Sequence, residues 1–270
     1  MPSFLERELT TLAFCWRLER RDGVCLGFTS HDRDLVIGGL AYRSAPGMLP
    51  SAISVSDDFD ASTLDVNGAL TSDAIAESDL AVGRWDRAAV TLFMVDWEDP
   101  GGDKLPLARG ELGDVTVKAI GFEAELRGAA ALLERAVAEQ TSPECRAELG
   151  DRRCRVDMAG RVWATKVTAA PEETIVVVAE APGGSCAFGR LRWIGGANSG
   201  LESAILASEG TELRLQEPPP FAIAAGDLVE IAEGCDKSFA TCRARFANAE
   251  NFRGEPHLPG MDLLTRDPGA

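Results

Sequence analysis

Cysteine carries most of the candidate chemistry in this chain. Seven are present, at positions 15, 25, 145, 154, 186, 235 and 242. Cys145 and Cys154 form C-x8-C, and Cys235 and Cys242 form C-x6-C. The two pairs stand about a small domain apart and bracket the second half. Thiolates bind soft metals, so paired cysteines in turn-like settings are candidate ligands. Gly150-Asp151 lies inside the first pair and Gly234 precedes the second. Neither spacing is that of zinc ribbons or of the ferredoxin runs. By spacing alone, four buried thiols compete with a metal site.

Local charge favours the metal reading. Arg146, Arg152, Arg153 and Arg155 stand around the first pair against Glu144, Glu148 and Asp151. Lys237, Arg243 and Arg245 stand around the second against Asp236. Both neighbourhoods are net basic in a chain of net charge −16. Nearby cations lower thiol pKa and favour thiolate, although arginine is also common on exposed turns.

Other candidates are weaker. The stretch 27–35, GFTSHDRDL, sets His31 beside Asp32 and Asp34 without a nucleophile in a defined motif. A turn between strands explains those polar residues as well. Gly183-Gly184 and Gly195-Gly196 lack the order of a phosphate loop and read as hairpin turns. His31 and His257 are the only histidines. A zinc peptidase, with histidine ligands and an open position, is therefore disfavoured. The tail 248–260, NAENFRGEPHLPG, offers Phe252 as an aromatic anchor stiffened by Pro256 and Pro259. It reads first as a packed tail that seals its own domain, and second as a docking surface or a clamp over the cysteines.

The elements that must position these residues read as mainly β. Residues 12–18 alternate with a period of two, Asp22-Gly23 marks a tight turn, and 24–28 completes a hairpin. Further strands are expected at 35–37, 90–97 and 115–120. The run 129–140, AAALLERAVAEQ, predicts the one clear helix. Thr141-Ser142-Pro143 then breaks the pattern. This divides the chain into an N-terminal β-rich domain, 1–140, and a C-terminal one, 141–270. Strands at 161–168, 174–179, 191–194, 212–215 and 228–232, separated by Pro and Gly clusters, predict a small barrel or sandwich. The tail from 248 to 270 is expected to run irregularly.

Charge and length bound the function. No apolar run is long enough for a membrane helix. Glu6, Arg7 and Glu8 interrupt the start where a signal peptide turns apolar. The expectation is a protein made in the bacterial cytoplasm without a membrane anchor. So acidic a chain is a poor binder of nucleic-acid phosphates. The odd cysteine count argues against a full disulfide framework.

The stretch GFTSHDRDL with Tyr42-Arg43-Ser44-Ala45, then VNGALTSDAIAESDLAVGRWDRA, resembles the N-terminal half of the phage baseplate hub family. The end, EGCDKSFATCRARFANAENFRGEPHLPGMD, resembles its C-terminal half. Members serve as tail-tip hub proteins in long-tailed phages, prophages and gene transfer agents. They distantly resemble the minor tail protein L of lambda-like phages, which carries an iron–sulfur cluster on four cysteines.

The resemblance implies several things. The ligands would be Cys145, Cys154, Cys235 and Cys242, stapling the second domain through a [4Fe–4S] cluster. Cys15, Cys25 and Cys186 fall outside the pattern. Four cysteines alone also suit zinc. The protein would be a virion structural component and not an enzyme. It would form a ring, a trimer, between the distal tail protein and a larger tail-tip (fibre) protein. DNA would pass nearby unbound. The rival readings are a cell-wall hydrolase or redox enzyme using the cysteines, and a zinc-stapled binding module.

Overall fold

In the computed structural model the described residues are 11–44, 63–68, 75–118, 121–128 and 139–258. The chain divides into two compact units, 1–137 and 138–270. Both are β-structured. The helix expected at 129–140 falls largely on 129–138, outside the described residues.

The first unit begins with a hairpin. Strands β1 (Leu12–Glu19) and β2 (Cys25–Thr29) pair antiparallel. Gly23 closes the turn at φ +88°, donating its N–H to the Arg20 carbonyl at 3.0 Å. A left-handed backbone there favours glycine. Strands β3 (Leu35–Ile37), β4 (Leu40–Ser44), β5 (Thr63–Gly68), β6 (Ala89–Asp96), β7 (Lys104–Lys118) and β8 (Gly121–Arg127) complete an eight-stranded sheet. Its order is β3-β4-β2-β1-β6-β7-β8-β5, with β2 and β4 parallel. A short helix, α1 (Glu77–Ala81), precedes β6.

Alternation along β1 feeds two cores. Trp16 and Leu18 pack with Phe28, Trp85 and Leu92. Ala13 and Cys15 pack with Ile37, Tyr42, Phe93 and Val95. Successive strand side chains point to opposite faces, so the small apolar residues between the large ones cover the sheet's other side.

The second unit contains a closed six-stranded barrel, which decides between barrel and sandwich. Its strands are β9 (Val162–Glu172), β10 (Ile175–Val178), β11 (Arg190–Trp193), β12 (Glu202–Glu209), β13 (Glu212–Leu215) and β14 (Leu228–Ala232). Around the barrel the order is β10-β13-β12-β11-β14-β9. Leu191, Trp193, Leu213, Leu215, Val229 and Ile231 alternate inward with at most 1% exposure. Each such side chain stabilises the fold by about 1.5–3 kcal/mol. Trp193 keeps its indole N–H satisfied on Ser203 Oγ at 3.0 Å. A short helix α2 (Phe239–Ala244) and a 3-10 turn (Ala249–Asn251) follow.

One pairing positions the candidate site. Strands β9 and β14 are antiparallel neighbours, with Val162 opposite Ala232. The segment entering β9 and the segment leaving β14 therefore meet at one end of the barrel. Those segments carry the two cysteine pairs.

Candidate functional site

Each pair sits in a loop organised by an aspartate. In the first loop Asp151 accepts the N–H groups of Cys154 (2.6 Å), Arg153 (2.8 Å) and Glu148 (3.0 Å). Burial pushes its carboxyl up, but these backbone bonds outweigh that and hold its pKa below the ordinary value. In the second loop Asp236 accepts from Ser238 N–H (2.9 Å) and Thr241 Oγ1 (2.7 Å). Ser238 caps α2 by accepting the Thr241 N–H at 3.1 Å. Cys242 thus lies on a short helix and not in a turn, and its backbone N–H bonds the Ser238 carbonyl at 3.0 Å.

The two loops are laced together. Cys145 N–H donates to the Lys237 carbonyl at 2.9 Å, and Lys237 Nζ reaches the Ala147 carbonyl at 2.6 Å and Glu148 at 3.0 Å. At the barrel rim Glu233, with its side chain 5% exposed, bonds Arg161 at 2.5 Å and Arg245 Nε at 2.9 Å. Both guanidiniums lie over the Phe246 ring, at 5.3 and 4.8 Å. Gly234 and Gly189 pass back to back. A Cβ on Gly234 would stand 1.9 Å from the Ala187 carbonyl oxygen, which leaves room only for glycine before Cys235.

The tail closes over the first loop. Arg146 and Glu255 form a two-pronged pair at 2.8 and 3.0 Å. The Glu255 backbone N–H donates to Ser142 O, and Ser142 N–H donates back to the carboxylate. The Arg146 guanidinium holds the Glu255 carboxyl at about 2. Gly254 lies against the Glu144 carbonyl, where a Cβ would approach within 2.5 Å. Phe252 packs edge-on to Phe239 at 5.1 Å. Through residue 258 the tail therefore seals its own unit and also clamps the cysteine site.

These contacts gather four thiols. Cys242 is pushed up first by burial and then by Cys145, Cys235 and Cys154. Cys235 is likewise raised by burial, with Cys145 adding to it and the Lys237 N–H opposing. Cys242 thus lies within electrostatic reach of the other three, and Cys145 within reach of Cys235. Three receive N–H donors: Arg253 N–H lies 3.4 Å from Cys145 Sγ, Asn248 Nδ2 lies 3.7 Å from Cys154 Sγ, and Lys237 N–H bonds Cys235. Cys242 Sγ faces the Asn248 carbonyl at 3.4 Å. Among the described residues, no three His, Cys, Asp or Glu side chains close tightly enough for a single metal ion. Four cysteine sulfurs with N–H groups beside three of them are residues that could hold a soft, thiolate-bound group.

The remaining cysteines lie elsewhere. Cys186 is in the barrel core, raised to about 11 by burial and then by Glu233. Cys15 is in a core of the first unit and faces Thr29 Oγ1 at 3.6 Å. Cys25 is half-buried beside Arg17.

The Lys237 charge favours the Cys235 thiolate, as expected of a nearby cation, and several of the cations also serve the loops. Arg146, Arg153, Lys237 and Arg245 pair with Glu255, Glu139, Glu148 and Glu233 and so hold loops together. His31 is a turn residue. Its Nδ1 accepts the Arg33 N–H at 3.1 Å, and its ring stacks near Trp97 at 5.0 Å. Asp34 accepts the Ser44 N–H at 2.8 Å. Sequence reasoning named Asp151 and Asp236 only as turn or counter-charge residues and Asn248 only as the start of the tail, and gave none of them a role at the site. An Asp three residues before a cysteine, or beside one, is the only signal that pointed to them.

The chain thus joins a β-sheet unit to a barrel unit whose one end carries laced loops and a tail clamp. Residues 1–157 match the family described as baseplate hub protein, N-terminal attachment domain. Residues 184–262 match the family described as phage conserved hypothetical protein BR0599. A chain in the solved virion of a native gene transfer agent particle is 38% identical, with a TM-score of 0.80. That alignment covers 98% of this chain and 94% of the other. No curated protein matches. The chain belongs to the baseplate hub family: it is a structural baseplate protein of a phage or gene transfer agent particle. No helix among the described residues is long and apolar enough to cross a membrane.

Proposed function

We propose that this protein is the tail-tip hub of a gene transfer agent or phage, linking the distal tail ring to a larger tip protein. The observation that carries this reading is the 38% identity to a gene transfer agent virion chain over nearly the whole of both chains. In this reading the hub is a cyclic homo-oligomer, a trimer, in which one face of each subunit complements another face of its neighbour. The net charge of −16 suits a lumen through which DNA passes unbound. It is not an enzyme.

In the same reading Cys145, Cys154, Cys235 and Cys242 hold an iron–sulfur cluster of the [4Fe–4S] type. The gathering of four cysteines, two buried and two half-buried, supports it, as do the N–H groups directed at three of the sulfurs. A cluster spreads its thiolates over several irons, whereas zinc draws four sulfurs to about 2.3 Å from one point. The choice of cluster over zinc rests on the family resemblance. Bound there, it would join the two ends of the second unit. Closing a loop of that length removes roughly 4–5 kcal/mol of unfolded-chain entropy by analogy with a cross-link. A staple of that size matches the net stability of a small domain and needs no redox turnover.

Assembly is tested by imaging purified particles. The protein should appear at the tail tip in a ring of threefold order beside the distal tail ring. Absence from purified particles would refute the hub reading, and a different ring order would refute the trimer.

A further inference from the structure

We infer that Asn248 is the positioning residue that joins the two cysteine pairs and, through a hydrogen bond, sets the electrostatics of the Cys154 sulfur. This rests on the cluster reading above and extends it to a residue outside the four cysteines.

Asn248 is 8% exposed and touches both pairs. Its Nδ2 donates to the Cys154 carbonyl at 2.6 Å and stands 3.7 Å from Cys154 Sγ. Its backbone N–H donates to the Cys242 carbonyl at 3.1 Å, and its own carbonyl faces Cys242 Sγ. The carboxamide cannot turn freely. Asn251 Nδ2 donates to Asn248 Oδ1 at 2.7 Å, which leaves the NH₂ end directed at Cys154. The preceding residue, Ala247, is held at φ +48°, a left-handed backbone conformation that a residue with a Cβ rarely adopts. That turn carries the chain back from α2 and delivers Asn248 to the sulfurs.

A buried N–H beside a thiolate stabilises the more negative state of whatever the thiolate binds. Hydrogen bonds to sulfur raise the reduction potential of iron–sulfur clusters, and partners one step outside the ligands typically govern metal retention about 10–100-fold. Asparagine is well suited to the task. It is neutral, so it adds no charge to an anionic site, and its two N–H groups serve the Cys154 carbonyl and sulfur together.

The test uses the full chain purified without oxygen, as wild type and as Asn248→Asp. That change keeps the shape, replaces the donor by an acceptor and adds a negative charge beside Cys154. Iron content, visible absorbance, loss of iron to a ferrous chelator and the reduction potential are measured on both. Asn248→Asp is expected to lose iron about 10–100-fold faster and to show a lower potential. A variant that loses iron faster at an unchanged potential would make Asn248 a mere prop and overturn the inference. So would a folded variant identical to wild type. If Asn248→Asp does not fold, Asn251→Ala carries the test, since it frees the carboxamide and leaves Asn248 in place. It should lower the potential by a smaller shift, and no shift overturns the inference. A wild type without iron or colour would instead overturn the cluster reading itself, and this inference with it.

Discussion

Replacing Gly234 with alanine tests how the second cysteine pair is set against the barrel. The added Cβ would lie 1.9 Å from Ala187 O, 2.2 Å from Gly189 N and 2.4 Å from Phe188 C. All three are backbone atoms, so no rotamer change relieves the clash. An ordinary carbon–oxygen contact needs about 3.3 Å, so the two segments must part by more than an ångström. Two backbone bonds depend on this contact: Gly234 N–H to Ser185 O crosses it at 3.1 Å, and Gly189 N–H to Cys186 O closes the facing turn at 2.8 Å. Overpacking costs about 1–3 kcal/mol, and each weakened buried bond adds about 1 kcal/mol. The expected loss is about 3–5 kcal/mol. Gly210→Ala is the control. Gly210 has φ +56° with nothing within 4 Å of a Cβ, so only backbone strain of about 1–2 kcal/mol applies. Hydrogen exchange of strands β11 and β14, read by mass spectrometry in the full chain, reports on the second unit alone. Gly234→Ala should speed exchange there about 100-fold or more, and well beyond Gly210→Ala. Because Cys235 is the next residue, iron content should fall as well. Equal exchange in the two variants would refute the close approach.

Two other perturbations have defined outcomes. Glu255 titrates at about 2 when paired with Arg146, below its ordinary 4.5. A carboxyl with a depressed folded-state pKa contributes stability that is present above the ordinary value and lost as pH falls toward the folded one. Exchange protection of 252–258 should therefore hold at neutral pH and fall between about 4.5 and 2, while Arg146→Ala should remove both the protection and its pH dependence. His31→Ala should leave particle function near normal, and the purified protein should hydrolyse neither peptidoglycan nor peptide; a lytic activity abolished by this change would overturn the structural reading.

The sequence exposed those parts of the fold whose pattern repeats locally. Strand β1 was legible because Phe14, Trp16 and Leu18 alternate with smaller residues, and β11, β13 and β14 because an inward Leu, Ile, Val or Trp recurs every second position. Strand β12, ESAILASE, was not legible. A bulge shifts its register between Ile205 and Ala207, and only Ile205 is buried. Strand β8, GFEAELR, alternates charged residues with too few large apolar ones. Helix α2 spans only Phe239–Ala244, too short for a helical period to show.

The site divides the same way. The four cysteines stood out by type, but their meeting depends on β9 and β14 being neighbours, a long-range pairing that no local pattern encodes. The N–H donors from Arg253 and Lys237 are backbone groups and carry no side-chain signature at all. The tail run NAENF was conspicuous in composition, yet the role of Asn248 follows only from where Ala247 turns the chain.

In the proposed reading Cys145, Cys154, Cys235 and Cys242 act together as ligands and the other three cysteines do not. Iron content and visible absorbance across seven single Cys→Ser proteins, purified without oxygen, test it most directly. Serine at Cys145, Cys154, Cys235 or Cys242 should bleach the colour and loosen the second unit, because metal binding is linked to folding. Serine at Cys15, Cys25 or Cys186 should leave the chromophore intact. Loss of iron in Cys186→Ser with retention in one of the four would contradict the assignment, and seven colourless proteins each carrying one zinc would contradict the iron–sulfur cluster.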